Sequence, residues 1–314
     1  MTKARDLANI GSMASGGISF RNRLINGNAI IGQRGVVNVT TTTPAYGTDR
    51  FLAGVVSGTG INVNLFKSAF GGSSSGLAHY ITGSMTNGVP YWCQRMEAQN
   101  GIDLSGKNVT VSGLLYQDTG STQQFVPRLS KANAVDNFGG GITAIQTGSA
   151  ISVPSGVVVP FSAVFTLGST DAANGLMVEV YSANPITCTS KNFCITDLQL
   201  EKGAIIAPTF ENRFVGLELA LCQRYYQRLH VSARGYSMGA AYAVTCAASW
   251  APMRALPTWS RVSGPSAQAN VYAPNPYGQL IADSVNSGYY NLSAAGTGDV
   301  YAVSVLFEST GTEL

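Results

Sequence analysis

Charged side chains are scarce in this chain. They make up 11% of the 314 residues, with 19 Lys and Arg against 16 Asp and Glu, less than half the roughly 25% of an ordinary soluble domain. The net charge is +3, and the basic residues form no stripe beyond a loose group of Lys3, Arg5, Arg21, Arg23 and Arg34. A nucleic-acid partner is therefore not expected, because such binding neutralises several phosphates at once. Long apolar runs are also missing. Nothing approaches the ~18 to 20 consecutive apolar residues of a membrane span, so no membrane insertion is expected. Residues 1–19 hold no continuous apolar segment of a secretory signal. Histidine occurs twice, as His79 and His230, each isolated from any cluster with zinc spacing. The five cysteines (Cys93, Cys188, Cys194, Cys222 and Cys246) are odd in number and lack C-x-x-C spacing. This suits synthesis in a reducing cytoplasm with buried thiols, and leaves a Cys188–Cys194 disulfide as the one pairing to consider.

What is present is apolar and turn-rich. A hydrophobic content of 45% excludes intrinsic disorder. The 36 Gly and 12 Pro, with abundant Ser and Thr, describe short strands joined by turns. The expected fold is mainly β: a jelly-roll or β-sandwich domain, a short linking helix and a smaller C-terminal β-sandwich domain. Its divisions fall at residues 1–19, 20–213, 214–229 and 230–314. Strand-length pieces appear at 49–56, 61–66, 91–97, 108–116, 157–165, 176–181 and 194–201. The clearest alternation places Val157, Val159, Phe161, Ala163 and Phe165 on one face. In 194–201 the same rule puts Cys194, Thr196, Leu198 and Leu200 together, opposite Ile195, Asp197, Gln199 and Glu201. Residues 217–229 (LELALCQRYYQRL) lack Gly and Pro and carry Leu217, Leu221, Tyr225 and Leu229 at i+4 steps, which predicts a helix. Beyond it, Tyr242, Val244, Cys246, Ala248 and Trp250 alternate, as do Tyr301, Val303, Val305 and Phe307.

Chemistry is hard to find. G-x-S-x-G occurs at 72–76 and 235–239, but a nucleophile elbow needs strand, turn and helix, then acid and histidine downstream. No histidine follows Ser237, and Ser74 lies in a Gly/Ser tract with no helix behind it. Asp197 and Glu201 share a strand face, yet four residues of extended chain separate them by ~13 Å. Glycosidase carboxylates stand roughly 5 to 9.5 Å apart. Neither a catalytic group nor a metal site is expected. The aromatic residues suggest more. Trp259 and the Pro/Tyr segment with Tyr272 and Tyr277 read as loop, and Tyr289, Tyr290 and Trp92 join them as candidates for stacking on a sugar ring. Trp92 and Trp250 also suit a core position.

Three stretches carry a family likeness: 21–35 (RNRLINGNAIIGQRG), 91–111 (YWCQRMEAQNGIDLSGKNVTV) and 195–229 (ITDLQLEKGAIIAPTFENRFVGLELALCQRYYQRL). In order and spacing they resemble a group of tailed-bacteriophage fibre proteins whose middle region is similar to carbohydrate-binding-module jelly rolls. The likeness covers somewhat more than half of the chain, and the third stretch is its most specific part. It departs at Ala29 to Gly32, where relatives carry an aromatic, and fades after residue 230. The resemblance implies a virion fibre made in the host bacterial cytoplasm, homotrimeric, that binds a host surface glycan or receptor and is not an enzyme. Its N-terminal segment, with Lys3, Arg5, Leu7 and Ile10, would attach to phage tail or portal-adaptor proteins. No cofactor is implied, although a structural Ca2+ occurs in carbohydrate-binding jelly rolls. A capsid-bound head fibre and a small polysaccharide depolymerase are the alternatives.

Overall fold

The computed structural model describes residues 20–204, 209–240, 242–271, 278–311 and 313–314. The protein is mainly β and divides into two units: the described residues up to Glu218 together with Leu314, and Leu219–Glu313. The first unit begins with β1 (Val37–Val39), β2 (Ala45–Thr48), β3 (Phe51–Val55), β4 (Thr59–Ala69), β5 (Leu77–Gly88) and β6 (Pro90–Met96). A short helix, α1 (Ala98–Gly101), precedes β7 (Asn108–Gln117), β8 (Gln123–Ala134), β9 (Asn137–Thr147) and β10 (Ile151–Val153). β11 (Val159–Thr166), β12 (Leu176–Ser182) and β13 (Ile186–Lys202) complete it. One antiparallel sheet runs β1-β4-β5-β13-β7-β11, and the other β10-β8-β12-β6-β3-β2, with β9 also on β8. From β5 to β8, and again from β10 to β13, successive strands cross between the sheets, as in a jelly-roll sandwich.

Alternation supplies the core. Along β11, Phe161 and Phe165 are buried while Pro160, Ser162, Val164 and Thr166 are exposed. Phe161 and Phe165 meet Trp92, Phe51, Phe125, Phe193, Leu65 and Val111 in one apolar cluster between the sheets. On β13 the expected faces are corrected. Thr196 pairs with Leu114 and Gln199 with Ser112, so Asp197 and Leu198 oppose Gly113 alone, and Asp197 takes φ 50°. This bulge shifts the alternation by one residue. Phe193 and Ile195 before it, and Leu198 and Leu200 after it, all reach the core, while Cys194 packs with Phe70 and Ala78 elsewhere.

Beyond Ile195 the β5 pairing of β13 stops, and residues 22–27 take its place. Arg23 N donates to Leu200 O at 2.8 Å, Leu198 N to Gly27 O at 3.0 Å, and the Asn22 side chain accepts from Leu200 N at 3.1 Å. A methyl on Gly27 would overlap the Leu198 carbonyl, so only glycine permits this approach. The carboxylate of Glu211 accepts from Arg21 N and Asn22 N, Arg213 donates to the Asn22 and Leu24 carbonyls, and Glu218 accepts from Asn26 N. Residues 21–27 thus interlock with Leu198, Leu200, Glu211, Arg213 and Glu218.

The helix expected over 217–229 is shorter: α2 spans Val215–Gln223. Arg228 is instead a strand residue paired with Glu308, which ends the helix well before Leu229. The second unit contains β14 (Arg228–Met238), β15 (Ala243–Ser249), β16 (Thr258–Ser263), β17 (Ala267–Ala269), β18 (Gln279–Ala282), β19 (Ser287–Ser293) and β20 (Thr297–Thr310). One sheet runs β14-β20-β16 with β17 on β20, and the other β15-β19-β18. Their shared core holds Trp250, Trp259, Tyr290, Leu292, Val300, Ala302, Val305 and Phe307. Here too a bulge corrects the expected face. Ser304 takes φ 57°, and Val231 and Ala233 pair with Val305 and Ala302. Tyr301 and Val303 therefore face away from Val305 and Phe307.

Candidate functional site

Several of the aromatic residues picked out in the sequence are core residues. Trp92 is fully buried against Phe125. Trp259 lies on β16 rather than in a loop, because it pairs with Ser309, and its ring meets Trp250 edge-on at 4.9 Å. Tyr290 is fully buried against Phe307. None of the three has a ring face free for a sugar. Tyr289, on the other face of the same strand, is half-buried beside Ala247 and Ile281. Tyr272 and Tyr277, like Lys3, Arg5, Leu7 and Ile10, lie outside the described residues.

Among the described residues, the exposed aromatic side chains are Phe20, Phe214, Tyr236 and Tyr242. Both tyrosines belong to one end of the second unit. Along β14 the small residues Ala233, Gly235 and Ser237 face inward, so Arg234, Tyr236 and Met238 must face out. Gly235 has to be small because a Cβ there would crowd the Val244 side chain. Opposite them on β20 stand Tyr301, Asp299 and Thr297. Arg234 and Asp299 form an ion pair at 3.3 Å, and the Arg234 guanidinium lies 5.8 Å from the Tyr301 ring centre. Tyr236 is 67% exposed and Tyr242, in the turn that follows, 65%. Further along the same face, Ser304 Oγ and His230 Nδ1 are 3.0 Å apart. The outer face of β14 and β20 is thus a water-facing platform that carries the exposed Tyr236 ring and the half-buried Tyr301 ring, bordered by hydroxyls and one ion pair, while Tyr242 is exposed just before β15 of the other sheet. Rings of this kind stack on the apolar face of a sugar while their polar edges stay hydrated. The sequence signal was the alternation of small and large residues in ARGYSM, which the G-x-S-x-G reading of the same residues obscured.

Groups that could run a reaction are engaged elsewhere. Ser74 Oγ donates to Asp197 at 2.6 Å and Ser74 N at 2.8 Å, so this carboxylate holds the 70–76 loop. Burial raises the Asp197 pKa, partly opposed by the two Ser74 hydrogen bonds. Ser237 Oγ donates to Gly239 O within a strand end, which is no nucleophile elbow. Glu179 is gripped by Arg128 at 2.8 and 2.7 Å and by Ser130 Oγ, beneath the outer surface of β12. Glu201 is buried beside Arg21 at 3.5 Å, and burial raises its pKa too. The five thiols are free, so the Cys188–Cys194 disulfide does not form. Burial pushes the Cys93 thiol up to about 12, which leaves it protonated and unreactive at neutral pH. Among the described residues no three His, Cys, Asp or Glu side chains converge to hold a metal, and no helix is long and apolar enough to cross a membrane.

No family model matches the sequence, and no curated protein matches it. Solved structures do show similarity. The C-terminal family 22 carbohydrate binding module of Clostridium thermocellum Xyn10B aligns at 14% identity over 51% of this chain and 89% of its own, with a TM-score of 0.38. The CBM22-1 xylan-binding domain of Paenibacillus barcinonensis Xyn10C aligns at 14% identity over 56% and 99%, with a TM-score of 0.33. The enzymatically active domain of bacteriophage CBA120 tailspike protein 4 aligns at 10% identity over 58% of this chain and 21% of that one, with a TM-score of 0.36.

Proposed function

We propose that this chain is a non-enzymatic fibre protein of a tailed-phage virion that adsorbs to host surface glycan through the outer face of the second unit. The observation that carries this reading is the presentation of Tyr236 and Tyr242 to solvent, at 67% and 65%, on a scaffold whose other large rings are mostly packed away. Ring stacking needs an open face and no activated group, and that is what the platform offers. Tyr289 is a secondary contact on the opposite sheet. The fibre-like stretches 21–35 and 195–229 support the virion role. On that reading, copies associate as a homotrimer, and Lys3, Arg5, Leu7 and Ile10 attach the N-terminal segment to tail or portal-adaptor proteins.

Binding of the full chain to host cells and to purified surface polysaccharide tests the proposal. Tyr236→Ala with Tyr242→Ala should lower binding about fivefold or more, since two stacked rings at about 0.5 to 1.5 kcal/mol each contribute about 1 to 3 kcal/mol. The melting temperature should hold, because both rings are exposed. No reducing ends should appear on prolonged incubation. Wild-type binding by the double variant, or steady release of reducing ends, would overturn the reading.

A further inference from the structure

The two sides of the first unit's sandwich are finished differently. On one side the sheets end in β1 and β2, of 3 and 4 residues. On the other they end in β11, of 8 residues, and β9, of 11. β11 is paired only by β7 and β9 only by β8. Long edge strands offer backbone to any passing chain, and natural proteins blunt them with lysines, prolines, short length or a cover. Here the blunting is confined to two register shifts in the β8–β9 pairing and one proline. No charged residue occurs anywhere from 137 to 170, β9 contains no proline, and β11 contains one, Pro160. Ile142 on β9 and Val164 on β11 are each 42% exposed, and Val157 and Val158, just before β11, are exposed as well. Between the β9–β10 turn and β11 runs an open groove of about 540 Å³, bordered by Gly148, Ser149, Phe161 and Val164.

We propose that this uncharged edge, β9 and β11 with the turn between β9 and β10, is the surface through which copies of this chain associate. The proposal deepens the fibre reading above, on which the expectation of several copies rests. Charge argues for a second copy as the occupant. A surface that meets its own copy risks bringing like charges together, and one with no charge meets it without repulsion or the desolvation of ions. Extent agrees. Of the thirty residues from 137 to 166, all but Phe138, Val153, Phe161 and Phe165 reach the surface, which matches the roughly 20 to 30 residues per side of a stable interface. The short, blunted edge at β1 and β2 is left to solvent.

Sedimentation velocity on the full chain, compared with Ile142→Lys, Val164→Lys and the double variant, tests this. The wild type should sediment as an oligomer and the double variant as a monomer, with unchanged circular dichroism. Val36→Lys, at an exposed site before β1, should leave the oligomer intact and serves as the control. Hydrogen exchange supplies a second readout: β9 amides should be protected in the wild type and exchange in the monomer. A wild type that is monomeric at all concentrations, or a double variant that stays oligomeric, overturns the inference. So would loss of glycan binding with the oligomer intact, which would make the groove a sugar site. Glycan binding by a monomeric wild type would sink the edge contact and leave the Tyr236 platform standing, whereas an oligomer that binds no glycan would do the reverse.

Discussion

His79 lies 2% exposed, with Nε2 2.9 Å from the Asn26 carbonyl and Nδ1 2.6 Å from Thr48 Oγ1. A carbonyl only accepts, so Nε2 carries the proton, Nδ1 accepts from Thr48, and the ring is neutral. Burial, first, then holds its pKa down to about 3 from 6.5, with Lys67 adding to the effect and the backbone hydrogen bonds opposing it. Above pH 6.5 neither the folded nor the unfolded state binds the proton, and the site makes no pH-dependent contribution. As the pH falls from 6.5 towards 3 the unfolded chain takes the proton and the folded chain does not, so folding weakens. The loss should be about 1.4 kcal/mol per pH unit. Chemical denaturation of wild type and His79→Gln across that window checks it: the wild type should lose stability relative to the variant on acidification, and parallel curves would contradict the assignment. His79 was legible in the sequence only as an isolated histidine. Its partners come from residues 26 and 48, which the fold alone brings together. Tyr236 is the opposite case, since Ala233, Gly235 and Ser237 between Arg234, Tyr236 and Met238 announce which residues face water.

At the scale of elements, the strands without bulges were the legible ones. The alternation from Val157 to Phe165 appears intact in β11. In β13 and β20 it breaks at Asp197 and Ser304, which adopt φ 50° and 57° without being glycine. Nothing local announces this, because the αL conformation is imposed by what lies across the strand: Gly113 opposite one bulge and Ser232 opposite the other. Trp259 reads as loop in the sequence, and its strand identity comes from pairing with Ser309, fifty residues on. The bulge in β13 makes a sharp test. Removing Asp197 by deletion restores strict alternation with Phe193, Ile195, Leu198 and Leu200 still on the core face, at the loss of the Ser74 acceptor. Inserting one further residue beside Asp197 instead turns Leu198 and Leu200 out of the core, which should cost at least about 4 kcal/mol, from 2 to 5 per lost core leucine. The insertion variant should lack a cooperative unfolding transition, while the deletion variant should retain one at a lower denaturant midpoint. A cooperative, near wild-type transition in the insertion variant would show that β13 tolerates either register.

For the molecule as a whole, low charge and exposed tyrosines lead to the same expectation by separate routes. Two exposed rings, Tyr236 and Tyr242, enclose little of a sugar, so a single chain should hold glycan weakly, in keeping with binding energy that comes from a few stacked rings. Copies joined through the uncharged β9 and β11 edge would place several such platforms on one particle, and each bound platform would raise the local concentration for the next. Avidity gained this way reaches about 10² to 10⁴ without any new contact. The Ile142→Lys, Val164→Lys double variant separates the two contributions. For a short soluble oligosaccharide its affinity per chain should equal that of the wild type, because no platform residue has changed. On a dense surface, such as host cells or immobilised polysaccharide, it should bind at least a hundredfold less tightly and dissociate faster. Equal retention of both proteins on the dense surface would mean that one chain grips the glycan by itself, and the long neutral edge would then have to be explained without adsorption.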